Sequence, residues 1–135
     1  MLEKRAKSMI KQQFDMDSNA MKNLENIIQQ TQPDIIIALE PTVLDIVAEA
    51  VQHKNNIMVY GFGMTTKTPS YIEKENITAA MIQNDFNMGY LSIRTAVEIL
   101  NKMEKQKEGM IDYAFVNKNN MYTKENQRLL FPFVR

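Results

Sequence analysis

Residues 34–39 read DIIIAL, and this stretch decides the fold class of the chain. It is short, continuous and rich in β-branched residues, which is typical of a strand that is buried on both faces of a parallel sheet. Pro33 comes directly before the stretch and stops the helical pattern that precedes it, and Pro41 lies just beyond and can open the next helix. The stretch therefore predicts a strand between two helices, which is the repeating unit of an α/β sheet.

Strand-like and helix-like segments alternate along the rest of the chain. Further strands are predicted at Ser8–Phe14, Ile57–Tyr60, Ile77–Ile82 and Ile111–Val116, and helical stripes at Ala20–Ile28, Val43–Val51 and Phe86–Leu100. A polar loop that contains Thr65 and Pro69 separates the third strand from the fourth. This order predicts a doubly wound, mostly parallel five-stranded sheet with helices on both faces. We expect residues 1–116 to form this α/β lobe and residues 117–135 to form a C-terminal tail.

The composition limits the possible functions. The chain has 135 residues, 44% hydrophobic and 24% charged, which suits one globular domain. Sixteen basic residues balance 16 acidic ones, whereas general nucleic-acid binders carry a basic surplus, so we expect no nucleic-acid contact by this segment. The absence of cysteine and the single histidine exclude thiol nucleophiles and multi-histidine metal sites. We expect no catalytic residue, no metal and no cofactor.

Candidate binding residues follow the predicted strands, because ligands of doubly wound sheets lie outside the carboxyl ends of the strands. The candidates are Met16, Leu39, Glu40, Phe62, Gly63 and Gln83. Residues Asn117–Asn120 follow the last predicted strand in the same way. The Gln83 amide can donate to and accept from one hydroxyl, and the Glu40 carboxylate can accept hydrogen bonds. These residue types suit a ligand with hydroxyl groups.

Structural explanations compete with the binding role at some of these positions. Glu40 is also favoured as an acidic residue at the start of a helix. The sequence Gly61-Phe62-Gly63 lacks the third glycine of a dinucleotide-binding loop, so a tight strand exit explains it. Asp85 after the fourth strand is explained by capping of the following helix, which weakens any acid–base or metal role for carboxylates at the strand ends.

Four segments carry a family resemblance through their order and spacing. They are Pro33–Ala38 leading into a helix, Val59–Gly63, Ile77–Gln83 followed by Gly89, and Val116–Asn120. In this order they resemble the C-terminal lobe of type I periplasmic sugar-binding proteins, the ribose-binding-protein-like group. That group shares its fold with the effector domains of lac-repressor-type regulators. The similarity runs from about Ser8 to Thr123.

The resemblance implies half of a carbohydrate site, since the sugar in this family lies in a cleft between two lobes. Gln83 matches the family's ligand-binding glutamine, Phe62 matches the aromatic residue of its Gly-Phe-Asp turn, and Met16 falls where the family often has an aromatic residue. Two positions depart from the pattern: Leu39-Glu40 replaces an Asn-Asp pair, and Gly63 replaces the aspartate of the turn. The family residues hold sugar hydroxyls by charge-assisted hydrogen bonds worth roughly 1.5–3 kcal/mol each. The departures therefore favour a modified, less polar or differently charged ligand, or a peptide partner, over a simple pentose or hexose.

The resemblance also implies a function without catalysis. The chain would be the ligand-binding lobe of a solute receptor that serves a transporter or a membrane sensor outside the cytoplasm. The alternatives are the cytoplasmic effector-binding domain of a lac-repressor-type regulator and an enzyme on a flavodoxin-like sheet. We expect the N-terminal lobe to lie outside this chain, and the tail to cross to that lobe or to a partner chain. The apolar stretch Leu129–Val134 predicts a homodimer through the tail.

Overall fold

The structure is a computed structural model that describes residues 8–13, 17–54, 56–102 and 113–131. Its elements are α1 (Ala20–Thr31), β1 (Ile35–Ala38), α2 (Pro41–Ala50), β2 (Met58–Phe62), α3 (Thr68–Glu73), β3 (Ala79–Gln83), α4 (Asp85–Leu100), β4 (Tyr113–Val116) and α5 (Lys124–Leu130). They belong to two compact units, of which the first ends at Gln32 and the second begins at Pro33. None of the described helices is long and apolar enough to cross a membrane.

The first unit contains α1. Its buried residues, Ala20, Leu24 and Ile28, recur every four positions and so form one face of the helix. The helix ends where Gln32 adopts a positive φ of 43° and donates its backbone N–H to the Ile28 carbonyl. The predicted first strand is not found here, because residues 8–13 have no regular secondary structure and Phe14 lies outside the described residues.

The second unit is built on a sheet with the strand order β1-β2-β3-β4. The pairs β1–β2 and β2–β3 are parallel, which confirms a mostly parallel α/β sheet, although the described residues form four strands rather than five. The last strand is antiparallel to β3, with Tyr113 opposite Gln83. A parallel connection from β3 to β4 would need a crossover helix that packs on the sheet. The intervening helix α4 has no buried residue.

One face of the sheet packs against α2, and α3 in turn packs against α2. Val59 and Ile82 lie on this face and are fully buried or nearly so, and Leu44 of α2 and Ile72 of α3 are fully buried as well. A Cβ atom at Gly61 would lie 2.5 Å from Leu44 Cδ1, so the absence of a side chain lets α2 approach β2 closely. The opposite face carries exposed apolar side chains: Ile35, Ile37, Met58, Phe62, Tyr113 and Phe115.

Two helices differ from the sequence expectation. Residues 68–73, predicted as part of a loop, form the short helix α3, whose start is favoured by Pro69 in its first turn. The N-cap of α4 is Asn84 rather than Asp85, because the Asn84 side chain accepts a hydrogen bond of 2.9 Å from the Asn87 N–H. The predicted apolar stripe of α4 exists but is exposed, with Phe86 79% and Leu100 81% accessible.

The predicted tail contains the helix α5, which ends at Leu130. Leu130 is buried, with 4% of its surface accessible, so the beginning of the apolar stretch packs within this chain. Residues 132–135 of the predicted dimer interface lie outside the described residues. The homodimer through the tail therefore stays a prediction.

Candidate functional site

The carboxyl ends of β1, β2 and β3 lie at one edge of the sheet, because these three strands are parallel. Gln83 closes β3 at this edge, and the antiparallel β4 begins there with Tyr113. We call this edge the carboxyl edge. It is formed by Leu39, Glu40, Phe62, Gly63, Gln83 and Tyr113.

The carboxyl edge contains five of the six predicted binding residues: Leu39, Glu40, Phe62, Gly63 and Gln83. The sixth, Met16, lies outside the described residues. The Leu39 residue is 70% exposed and Phe62 is 48% exposed, and Gln83 is exposed as well. These side chains therefore do not belong to the core, which leaves them available for contacts with a ligand.

Glu40 occupies the N-cap position of α2. Its backbone is extended, and its carbonyl accepts the Leu44 N–H at 2.9 Å, but its carboxylate makes no capping hydrogen bond. The structure therefore places an acidic group at the helix start, as the dipole favours, without using its oxygens for capping. These oxygens can accept hydrogen bonds from a ligand at the carboxyl edge.

Gly63 and Pro41 fit each other at the exit of β2. Gly63 has a φ of 78°, a left-handed conformation that side chains disfavour, and its N–H donates to the Met81 carbonyl at 2.9 Å. A Cβ atom at this position would lie 2.4 Å from Pro41 Cγ. The ring of Pro41 thus takes the space that a side chain at position 63 would need. This fit explains physically why the aspartate expected from the family pattern is absent here.

A hydrogen-bonded network holds the segment that follows Gly63. The Thr65 hydroxyl donates to Asp45 Oδ2 at 2.7 Å, and the Thr65 N–H donates to the Thr68 hydroxyl at 2.9 Å. Thr68 is fully buried, and its hydroxyl lies 3.5 Å from Asp45 Oδ1. Because Asp45 belongs to α2 and Thr68 to α3, the network ties the chain between β2 and α3 to two helices. It therefore stabilises the backbone that presents Phe62 at the carboxyl edge.

The Gln83 side chain makes one weak contact. Its Nε2 lies 3.3 Å from the sulfur of Met88 on α4. A thioether sulfur is a weak acceptor, so a ligand hydroxyl can replace it at little cost. The amide is consequently available for a ligand.

The residues predicted after the last strand lie at the opposite edge, because β4 is antiparallel. Residues 117–120 form a turn there, in which Asn117 Oδ1 accepts the Asn119 N–H and Asn120 Oδ1 accepts the Asn117 N–H. An open cavity of about 330 Å³ lies beside this turn, lined by Glu75, Ile77, Thr78, Asn117, Lys118 and Asn119. Residues 117–120, which follow the last strand as the candidate residues follow theirs, therefore do not lie at the carboxyl edge.

Tyr122, which lies outside the carboxyl edge, has a pKa that its surroundings shift. The hydrogen bond that the Tyr122 hydroxyl donates to Glu73 Oε1, 2.6 Å long, raises the pKa of Tyr122 above its ordinary value. This contact, together with the Lys118–Glu75 ion pair of 2.8 Å, joins the turn before α5 to the end of α3. The described residues contain no group of three or more acidic or histidine side chains that could hold a metal ion.

The family model of the periplasmic binding protein domain matches residues 5–105. The chain belongs to this family. A search of curated protein sequences finds no significant match. For this periplasmic binding protein domain, the family match ends before β4, so the placement of Tyr113 comes from the structure alone.

Solved structures share the fold of this domain at low sequence identity. A carbohydrate transporter solute-binding protein from Agrobacterium radiobacter, in complex with D-arabinose, has a TM-score of 0.75 and 19% identity over 82% of this chain and 39% of its own. An ABC transporter solute-binding protein from Agrobacterium vitis, bound with α-D-tagatopyranose, has a TM-score of 0.76 and 19% identity over 91% of this chain and 43% of its own. A putative LacI transcriptional regulator from Bacteroides fragilis has a TM-score of 0.68 and 15% identity over 80% of this chain and 38% of its own.

The chain thus spans about two fifths of the length of these three proteins. The likeness shows the type I periplasmic binding fold.

Proposed function

We propose that this chain is the ligand-binding lobe of a sugar-binding solute receptor and that it acts by binding alone. The observation that carries the proposal is the common edge of Leu39, Glu40, Phe62 and Gln83, all exposed at the carboxyl ends of a mostly parallel sheet. Family membership and the two sugar complexes of similar fold support it. The cavity at the opposite edge has no aromatic residue among its described lining residues, which makes it less suited to a sugar ring.

The chemistry of the carboxyl edge suits a monosaccharide. The Gln83 amide offers a donor and an acceptor, the Glu40 carboxylate accepts from hydroxyls, and the Phe62 ring offers an apolar surface. Leu39 and Gly63 add no polar side-chain group. We expect a ligand with fewer hydroxyl contacts on this lobe than the family pattern implies, such as a modified or less polar sugar.

The mode of action in this proposal is closure of two lobes around the ligand, which shifts the receptor toward its closed form. The second lobe, a transporter or membrane-sensor partner and a location outside the cytoplasm all belong to this proposal. The exposed apolar stripe of α4 and the C-terminal tail supply surfaces for contacts beyond this lobe. Cell fractionation of the source organism tests the location, and recovery in the cytoplasmic fraction would contradict it.

A binding screen tests the proposed function. The intact gene product that contains this chain is heated with D-arabinose, D-tagatose, D-ribose, D-glucose or the less polar deoxy sugar D-fucose at about 10 mM, a concentration chosen to saturate a receptor, and positive sugars are titrated by calorimetry. At least one sugar is expected to raise the melting temperature, and Gln83→Ala to weaken its binding. The matched control is Gln127→Ala, at an exposed glutamine of α5. Equal affinity of the Gln83 and Gln127 variants would remove Gln83 from the site.

The effector-binding domain of a regulator is the second candidate, favoured by the similar fold of the putative LacI regulator. A DNA-binding helix-turn-helix encoded in frame upstream would support it, whereas a signal peptide upstream would support the receptor. Electrophoretic mobility of operator DNA with the gene product distinguishes the two: a sugar-dependent shift would favour the regulator.

A further inference from the structure

Tyr113 lies at the carboxyl edge although it belongs to the last strand. Since β4 runs antiparallel to β3, its first residue is opposite Gln83, the last residue of β3. The two side chains of such a pair point to the same face of the sheet, with Cβ atoms about 5 Å apart. A parallel β4 would have placed Tyr113 at the opposite edge, so the strand direction alone puts Tyr113 opposite Gln83.

Tyr113 is not a core residue. It is 68% exposed, and its hydroxyl makes no hydrogen bond within the described part of the chain. Leu39 and Phe62 lie along the same edge and are exposed as well. A tyrosine that presents both an apolar ring and a free hydroxyl beside an available amide has the chemistry that a sugar ring requires.

We propose that Tyr113 is a ligand-contacting residue of this lobe. Its ring packs against the apolar face of a monosaccharide whose hydroxyl is bound by Gln83, and the Tyr113 hydroxyl adds a hydrogen bond at the edge of the sheet. This role rests on the proposed function of the lobe. The Tyr113 side chain provides a ring contact and a hydrogen bond that Leu39 and Gly63 do not make. It therefore favours pyranose sugars with an apolar ring face over evenly polar polyols.

A pair of tryptophan reporters tests the contact directly. This chain contains no tryptophan, so Tyr113→Trp adds the one tryptophan of the lobe at the proposed contact, and the emission of the wild-type gene product is subtracted as background. Tyr122→Trp is the matched control, because Tyr122 is also an exposed tyrosine but contacts Glu73 outside the carboxyl edge. Each variant of the intact gene product is titrated with every one of the five sugars that raises the melting temperature of the wild type. The emission of Tyr113→Trp is expected to change saturably, and that of Tyr122→Trp to remain constant.

Affinities measured by calorimetry provide the second readout. Tyr113→Ala is expected to weaken sugar binding roughly three- to tenfold, as the loss of one ring contact predicts, while Tyr122→Ala stays within about twofold of the wild type. Tyr113→Phe keeps the ring and is expected to lose less affinity than Tyr113→Ala. Circular dichroism checks the fold of each variant. If the alanine variant unfolds, the phenylalanine and tryptophan variants still report on the contact.

The outcomes separate this inference from the proposed function. Suppose that Gln83→Ala weakens binding while Tyr113→Ala binds like the wild type and sugar leaves the emission of the Tyr113→Trp variant unchanged. The role of Tyr113 is then overturned and the binding lobe stands. If the wild-type gene product binds none of the five sugars, both are overturned.

Discussion

Replacing Gly63 by alanine perturbs the fit between the exit of β2 and the first residue of α2. Two unfavourable effects are expected. The φ of 78° lies in the left-handed region, which costs an L-residue about 1–2 kcal/mol. The new Cβ atom would lie 2.4 Å from Pro41 Cγ and 3.3 Å from Pro41 Cδ, so the ring must move, and overpacking of this kind costs about 1–3 kcal/mol. Together the free energy of unfolding should fall by about 2–5 kcal/mol.

Urea denaturation followed by circular dichroism measures this loss. With a slope of about 1.5 kcal/mol per molar urea, a loss of about 3 kcal/mol lowers the midpoint by about 2 M. Adding Pro41→Ala to Gly63→Ala removes the steric part and leaves the strained backbone, so the double variant should recover about 1–3 kcal/mol relative to the expectation from the two single variants.

Gly89→Ala is the matched glycine control. Gly89 lies within α4, and a Cβ atom there would meet nothing within 4 Å. The change should stabilise the helix by about 0.5–1 kcal/mol. A Gly63→Ala variant whose midpoint equals that of the wild type would refute the reasoning, and so would additive effects of the Pro41 and Gly63 changes.

Three further predictions concern other parts of the second unit. Thr68→Val removes a fully buried hydroxyl that accepts a backbone N–H, so urea denaturation should show a loss of about 1–3 kcal/mol, with exposed Thr66→Val nearly neutral as the control. Because the hydrogen bond to Glu73 raises the pKa of Tyr122, that contact stabilises the fold below the ordinary tyrosine pKa of about 10, and the stabilisation is lost as the pH rises through the folded pKa. Tyr122→Phe should remove this alkaline loss of stability and the Tyr122 component of the tyrosine titration at about 295 nm. The apolar tail Leu129–Val134 should make the gene product dimeric in light scattering, and a monomer across micromolar concentrations would contradict this interface.

Local patterns predicted the elements around the carboxyl edge. The β-branched run at residues 34–39 and the proline after it are sufficient for β1 and the start of α2, because β-branching and a fixed φ act within a few residues. The expected burial of this strand on both faces is wrong, since Ile35 and Ile37 are exposed. Local sequence also predicts Gln83, because the apolar run of β3 shows where this strand ends. The order of these segments then identified the family fold.

The direction of β4 could not be predicted in this way. The apolar stripe of α4 indicates a packing face but does not say which surface covers it, and in the structure no residue of α4 is buried. Because β4 is antiparallel, residues 117–120 lie at the opposite edge, and Tyr113 lies at the carboxyl edge although it was not in the predicted binding set. Only the alternation of Tyr113 and Phe115, both on one face of β4, could have signalled an exposed aromatic position.

The central claim is that a sugar binds at the carboxyl edge, and chemical-shift mapping tests it most directly. The backbone amides of the ¹⁵N-labelled gene product are recorded with and without a saturating sugar from the positive set. The account predicts the largest shifts at residues 39–40, 62–63, 83 and 113, with little change at the opposite edge. Shifts concentrated at Glu75, Thr78 and residues 117–119, around the cavity of that opposite edge, would contradict it.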